Sequence, residues 1–396
     1  MLEEKYLLML PGPTPVPPPV ALAQAMPMMN HRGEAFTALF REITAGLQRV
    51  FRTRQPVLVL PGSGTGGFET ALQNFVAPGE KVLAVVTGAF GDRWAKGARA
   101  LGYEVERLDV EWGRAADPGE LRERLAAGRD RPIRAVLLTH NETSTGVTNP
   151  IRELAQVARE HGALVMVDSV SGLGALPIEM DEWGLDVVLT GAQKALMCPP
   201  GLTLLAASPR AWEASDRNPG PRFYFDLRPY RDGYEKASLP YTPALALLYA
   251  LRESLRLIER EGLEAAWARH RLLGRMTRAG VRAMGLELLV RDDRFASDSV
   301  TAVKAPPGLS PSAIRRTARE RFGVILAGGQ GPLSETVFRI GHLGYVVPGD
   351  VVQALAAVEG ALALHGLPVE LGRAAAAAEA VWLDALREQA PAPART

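Results

Sequence analysis

The sequence predicts an α/β fold: a mainly parallel, seven-stranded sheet sandwiched by helices, followed by a smaller C-terminal α+β domain. Two observations carry this. Between about residues 56 and 208, short apolar runs alternate with amphipathic stretches of helical period. Strands that are apolar throughout belong to sheets covered on both faces, and those sheets are largely parallel. In addition, 396 residues with 47% hydrophobic content are enough for two or three domains with sizeable cores.

Taken in order, residues 7–19 hold so many prolines that a helix or a central strand is excluded, which leaves an extended arm. Strands are expected at 57–60, 82–87, 104–108, 133–139, 163–167, 187–190 and 202–206, with helices at 65–75, 93–101, 118–126 and 150–161 between them. Leu245, Leu248, Leu251, Leu255 and Ile258 recur at helical spacing and predict a long helix over 243–260 whose stripe is core. Beyond it come a helix at 263–283, strands near 298–304 and 335–340 with a helix at 310–322 between them, and a helix at 349–364. The domain limits that follow are an extended arm (1–20), a large α/β domain (21–260), a small α+β domain (261–388) and a frayed tail (389–396).

Composition excludes several classes. With 22% charged residues and a net charge of +1, the chain suits neither disorder nor a general polyanion binder, so no nucleic-acid partner is expected. No apolar run approaches the ~20 residues of a transmembrane helix, and the acidic start followed by Pro11 is no signal peptide. A cytoplasmic protein without a membrane partner is the expectation. The single cysteine, Cys198, rules out an intramolecular disulfide and a cysteine-rich metal site. Six histidines show no spacing such as H-E-x-x-H, and no metal is assigned.

Lys194 stands out. It closes Asp186-Val187-Val188-Leu189-Thr190-Gly191-Ala192-Gln193-Lys194, an apolar strand running into a small-residue turn, in a chain with only six lysines among 45 basic residues. An amine held partly desolvated there has a lowered pKa and can form a Schiff base. Asp168 ends another apolar run, 163–167. An amine and an acid at two core strand ends are what pyridoxal phosphate requires, the amine for its aldehyde and the acid for its ring nitrogen. A surface lysine and a helix-capping aspartate are the plain alternatives, and the strand-end positions count against both.

Other segments gather at strand ends. Gly62-Ser63-Gly64-Thr65-Gly66-Gly67 is a strand–turn–helix start whose amides and hydroxyls can cup a phosphate. It also fits G-x-G-x-x-G, but the next strand ends without the acid a dinucleotide ribose needs. A ligand-free tight turn remains open on this motif alone. Phe90, between glycines after the second strand, can stack on a planar ring or simply pack in the core. Thr143, in the polar stretch 139–146, can bond a ligand oxygen or belong to a self-satisfied turn. Arg339 interrupts a strand of the small domain, where it either grips a carboxylate or faces solvent.

Three blocks, Glu142-Thr143-Ser144-Thr145-Gly146, Val167-Asp168-Ser169-Val170-Ser171 and Gly191-Ala192-Gln193-Lys194-Ala195-Leu196 followed by Pro199-Pro200-Gly201, stand in order at compatible spacing. With them the chain resembles the class V, fold-type I pyridoxal phosphate aminotransferases, specifically the alanine–glyoxylate and serine–glyoxylate group. The resemblance implies that Lys194 bonds the cofactor and Asp168 pairs with its ring nitrogen. It places Ser63, Gly64, Thr65 and Gln193 around the phosphate and ring, with Thr143 on a cofactor oxygen and Arg339 on the substrate carboxylate. Thr242, in Tyr241-Thr242-Pro243, would reach the phosphate across a homodimer interface, and segments 11–13 and 30–32 would border the entrance. Phe90 stands where the group often has Trp, Thr65 where it has His, and Leu239 where it has Tyr. The implied reaction is a ping-pong transamination from alanine or serine to a 2-oxo acid such as glyoxylate or pyruvate. Rivals on the same core are a lyase, a 2-aminoethylphosphonate aminotransferase and a cysteine desulfurase, the last lacking a loop thiol in 326–331. A non-catalytic cofactor-binding partner protein and a nicotinamide dehydrogenase are the remaining alternatives.

Overall fold

The strands, in chain order, are β1 (Leu7–Met9), β2 (Val57–Gly62), β3 (Lys81–Val86), β4 (Glu104–Asp109), β5 (Ile133–Thr139), β6 (Asn141–Glu142), β7 (Val147–Thr148), β8 (Leu164–Asp168), β9 (Val187–Gly191), β10 (Gly201–Ala207), β11 (Val300–Lys304), β12 (Val324–Gly328) and β13 (Val337–Gly341). They come from a computed structural model that describes residues 5–127 and 132–389. The expected tail lies outside the described residues, apart from Gln389, which ends the helix Arg373–Gln389.

The large sheet has seven strands in the order β2-β10-β9-β8-β5-β3-β4. Strands β3, β4, β5, β8 and β9 run parallel, and β10 lies antiparallel between β2 and β9. The central strands β8 and β9 are buried at every position, as their unbroken apolar runs require. The β4 edge carries Glu104, Glu106, Arg107 and Asp109 among its six residues, and Lys81 Nζ lies 2.7 Å from Glu106 and 3.6 Å from Glu104. Charge on an edge strand discourages pairing with another chain. The helix Glu34–Phe51 turns Phe36, Leu39, Phe40, Ile43 and Leu47 inward and packs on the helix Leu245–Glu261. These layers share one apolar core that runs from Val20 to Ile258.

A second core joins Met9 to residues from Leu273 to Ala378 and supports the sheet β1-β12-β13-β11. Here the structure departs from the sequence reading. The arm is not simply extended: Leu7–Met9 pairs in parallel with β12, and a helix starts at Pro18 (Pro18–Ala23). Both fit proline chemistry. β1 precedes the first proline and sits at a sheet edge, while Pro18 and Pro19 occupy a first helical turn, where no amide donor is needed. β12, the helix Glu34–Phe51 and the helix Arg373–Gln389 were not anticipated.

Parallel register brings the functional ends together. Thr139 of β5 faces Asp168, and Asp168 faces Leu189 of β9. Gly62 at the end of β2 pairs with Gly201, and Gly191 with Thr203. Turns after β2, β3, β5, β8 and β9 therefore open on one edge of the sheet, where ligands of open α/β sheets bind.

Candidate active site

Asp168 is buried at the end of β8, and one carboxylate oxygen accepts the Val170 amide at 2.8 Å. Burial raises its pKa to about 7; the Val170 hydrogen bond opposes this, the charge of Glu142 adds to it, and Lys194 opposes it. Lys194 follows β9. Burial brings its amine down to about 8, helped by the nearby Arg339 charge and opposed by Asp168. Its Nζ donates to the Pro11 carbonyl at 2.6 Å. Beside it, Gln193 Oε1 is buried without a hydrogen-bond partner.

Next to this pair the helix Gly64–Phe75 starts after β2, and the Ser63 side chain does not cap it. Ser63 and Thr65 are exposed, and their hydroxyls bond nothing among the described residues. Gly64 is packed so tightly on Val170 that a Cβ would lie 2.5 Å from that side chain. The turn is thereby pressed against the segment following Asp168. An uncapped helix N-terminus with free hydroxyls is a favourable anion site.

Phe90 is half-buried in the first turn of the helix Ala89–Ala100, which starts four residues before the expected limit. The cause is non-local. The buried Glu142 carboxylate caps this helix from the β6 hairpin, accepting the Phe90 amide at 3.0 Å and the Gly91 amide at 3.1 Å. It also accepts the Ser144 amide at 3.1 Å and hydroxyl at 2.6 Å, and burial raises its pKa. A Cβ on Gly88 would lie 2.4 Å from Glu142 Cγ, so only glycine fits that joint. The Arg93 guanidinium covers the Phe90 ring at 4.8 Å. Glu142 opens one of the sequence blocks, but no local pattern gives it the role of a cap, and Arg93 reads there only as one more helical arginine.

Thr143 is buried and shares a hydrogen bond of 2.6 Å with the Ser171 hydroxyl. Its carbonyl accepts Arg339 Nη1 at 2.9 Å, while Arg339 Nε donates to the Gly328 carbonyl at 2.7 Å. Arg339 is therefore not solvent-facing: it is 5% exposed, and burial lowers its pKa to about 10 against the opposing charge of Glu142. Its Nη2 has no hydrogen-bond partner among the described residues. Thr242 and the 30–32 turn lie at the surface, and no hydrogen bond joins Thr242 to the other site residues. Leu239 is buried in the large core.

A sheet edge that joins a half-buried amine, a buried acid, a tight anion cup and a ring beside them defines a cofactor enzyme. The chain belongs to aminotransferase class V, whose sequence profile matches residues 21–340. It is 38% identical over 378 residues to a serine–glyoxylate aminotransferase of Arabidopsis thaliana, covering 94% of each chain. It is also 42% identical over 366 residues to a protein of Synechococcus named soluble hydrogenase, small subunit, covering 92% of this chain and 95% of the relative. Among solved structures, pyridoxamine–pyruvate aminotransferase of Mesorhizobium loti superposes with a TM-score of 0.91 at 31% identity, over 96% of this chain and 98% of that one. The protein is thus a transaminase that depends on pyridoxal phosphate, with the mainly parallel fold-type I architecture. The residues present fit that group: the uncapped helix start with the Ser63 and Thr65 hydroxyls offers donors to a phosphate, Lys194 an amine to an aldehyde and Asp168 a carboxyl to a ring nitrogen. No helix among the described residues is long and apolar enough to cross a membrane.

Proposed function

We propose that the protein moves an amino group from a small amino acid, alanine or serine, to a 2-oxo acid such as glyoxylate or pyruvate. The observation that carries this is the half-buried Lys194 amine beside the buried Asp168, with Arg339 held next to them by the Thr143 and Gly328 carbonyls. Bound pyridoxal phosphate supplies an aldehyde that condenses with amines and a ring that accepts the electron pair released at the substrate's Cα. Lys194 provides the amine that holds the cofactor. Once free, its Nζ takes the proton from the substrate's Cα. A value near 8 keeps an appreciable fraction of the amine neutral around neutral pH, as a base requires. Asp168 would meet the ring nitrogen, and its buried carboxylate would be ionised against that positive partner. Ser63, Gly64, Thr65 and Gln193 would hold the phosphate side, Phe90 would stack on the ring and Thr143 would meet its phenolic oxygen. Arg339 keeps Nη2 for the substrate carboxylate, which matches an amino acid and a 2-oxo acid alike.

Thr242 completes the phosphate site of a second copy in a homodimer. Support comes from its exposure and from large apolar side chains left in solvent, among them Leu22 at 73%, Met28 at 66% and Phe223 at 81%. The hydrogenase name of one relative finds no footing in this chain's own donors. Metal clusters of redox enzymes need several thiolates, and the single cysteine is buried.

The test is an absorbance spectrum of the purified protein with alanine, serine and glycine added separately. A visible band that shifts with one donor and returns with glyoxylate supports transamination and names the donor. A band unchanged by every donor redirects the assignment to lyase or aminophosphonate chemistry. No band after adding the cofactor overturns it.

A further inference from the structure

The N-terminal segment spans from the small sheet to Lys194. In β1, Leu7, Leu8 and Met9 lie opposite Val324, Ile325 and Leu326 of β12. The chain then passes over the end of β13, where Gly341 leaves it room: a Cβ there would lie 2.2 Å from the Leu10 carbonyl carbon and 2.4 Å from the Pro11 nitrogen. Next it turns onto Lys194. The Pro11 carbonyl accepts the Nζ hydrogen bond at 2.6 Å, and a Cβ on Gly12 (φ +125°) would lie 2.2 Å from Nζ and 2.5 Å from Cδ. The Thr14 amide donates to the Gln193 carbonyl at 3.1 Å and its hydroxyl to the Lys194 carbonyl at 2.9 Å. From the other side, Gly344 (φ +77°) approaches so closely that a Cβ would lie 3.0 Å from the same carbonyl. His270 Nε2 fixes that turn by accepting the Gly344 amide at 3.0 Å.

An ammonium has three donors and no acceptor, and in a buried site each donor without a partner is costly. A carbonyl at 2.6 Å satisfies one of them with a charge-assisted bond and leaves the side chain little rotational freedom. The contact needs bare backbone at three places, Gly12 against the lysine, Gly341 under the arm and Gly344 against the lysine's carbonyl. The Thr14 bonds hold the backbone of the Gln193–Lys194 turn, but the Pro11 carbonyl meets the lysine's side-chain amine itself, and that contact calls for its own explanation.

We propose that the Pro11 carbonyl is the seat of the Lys194 amine whenever that amine is not bonded to the cofactor. Gly12 and Gly341 are the positions that let the arm hold the seat there. The seat rests on the reading of Lys194 as the residue that bonds the cofactor and then carries the Cα proton. Its role is positioning: a seated amine has one resting place from which to act, and a lysine without it wanders among rotamers. Because the arm is a strand of the small sheet, that resting place is set by the small domain and not by the strand that carries Lys194.

The test uses Gly341→Ala, which displaces the arm without touching the lysine, beside Gly12→Ala and the milder Thr14→Val. In cofactor-free protein, reductive methylation of Lys194 by formaldehyde and cyanoborohydride is followed by peptide mass spectrometry from pH 6 to 10. In loaded protein, the single-turnover rate with an amino donor is measured against donor concentration. Unseating should speed methylation at pH 8 by roughly 5-fold or more and slow the single turnover by roughly 10-fold, with donor half-saturation within about 2-fold. Thr14→Val should move both in the same direction by roughly 2-fold. The proposal is overturned if Gly341→Ala keeps its circular dichroism and cofactor uptake yet methylates Lys194 with the parent's rate and pH dependence. If neither glycine variant folds, an unchanged methylation profile in Thr14→Val overturns it alone. A parent protein that takes up no cofactor would sink the assigned function instead, while methylation of the cofactor-free chain still decides the seat.

Discussion

The floor and the rim of the site are built on different terms. On the floor, Asp168, Glu142, Thr143 and Arg339 are buried, and each has hydrogen-bond partners from within the chain. On the rim, Ser63, Thr65 and Thr242 are exposed, and their side chains bond nothing among the described residues. A single chain therefore fixes the geometry of its chemistry and leaves open the groups that meet a ligand or a second copy. The cost is borne by the floor, where burial moves Asp168, Glu142 and Arg339, and Lys194 beside them, away from their ordinary values.

Removing the amine should have the largest effect. Lys194→Ala loses both cofactor attachment and the base, and the amino-donor half-reaction should fall by at least ~10⁴, since a positioned base alone contributes ~10²–10⁴. The fold should survive, because the Thr14 hydroxyl still holds the backbone carbonyl of this position and only the Nζ bond to the Pro11 carbonyl is lost. Stopped-flow absorbance with the preferred donor measures the rate. A loss below 10-fold would break the assignment of the floor.

Asp168→Asn should separate function from stability. In the cofactor-free chain Asp168 titrates at about 7, so the folded state holds a proton that the unfolded state has already released. Stability therefore falls as pH rises from about 4 to about 7, and above that the penalty is complete, at most ~4 kcal/mol. Lys194 acts in a higher window with the opposite sign: its amine titrates at about 8, so stability recovers as pH rises from there toward its unfolded value. The asparagine variant should be more stable than the parent at pH 8 by several degrees in thermal midpoint and indistinguishable from it near pH 4, while cofactor-dependent turnover drops by roughly 10²-fold or more. Thermal melts of cofactor-free protein at both pH values check this. A variant less stable than its parent at pH 8 would mean that the acid is compensated by contacts beyond Val170.

The rim calls for a smaller, concentration-dependent change. Thr242 makes no hydrogen bond among the described residues, so Thr242→Ala should leave the thermal midpoint of cofactor-free protein unaltered. One lost hydrogen bond to a charged group corresponds to roughly 10-fold weaker cofactor binding. If the residue acts across a homodimer, the parent's cofactor affinity should fall on dilution while the variant's hardly changes. Equilibrium titrations at two protein concentrations make the comparison.

Much of this was legible in the sequence because the large sheet is a run of local patterns. The strands at 57–62, 133–139 and 187–191 were placed within two residues, and the helix at 263–283 without error. Lys194 and Asp168 were findable because each ends an apolar run. Two misses are local: Phe36, Leu39, Phe40, Ile43 and Leu47 recur at helical spacing in Glu34–Phe51, and Arg373–Gln389 is rich in alanine. The others are long-range. The helix after β3 starts early because Glu142, more than fifty positions away in the chain, supplies its cap. β1 exists because β12 offers an edge in parallel, and no periodicity in three residues could announce that. The Pro11 carbonyl against Lys194 is a contact between segments 183 positions apart, with only its glycines to mark it.

Cys198 sets the lower end of the scale and tests the floor by the absence of an effect. It is 1% exposed, and burial pushes its thiol up to about 12. The thiolate, which is the reactive form, should then make up only ~10⁻⁴ of the population at pH 8. A disulfide reagent should leave the native protein unlabelled at that pH and label one thiol after denaturation. Cys198→Ala should keep turnover within about 2-fold and cost about 1 kcal/mol of stability for the lost packing. The fold also serves sulfur chemistry, which needs a mobile thiol within reach of the substrate. The segment after β12 that would carry one reads Gly328-Gly329-Gln330-Gly331. Rapid native labelling of Cys198 together with loss of turnover would put a thiol at the reacting centre and set aside the amino-transfer reading, whereas an inert thiol leaves Lys194 as the floor's nucleophile.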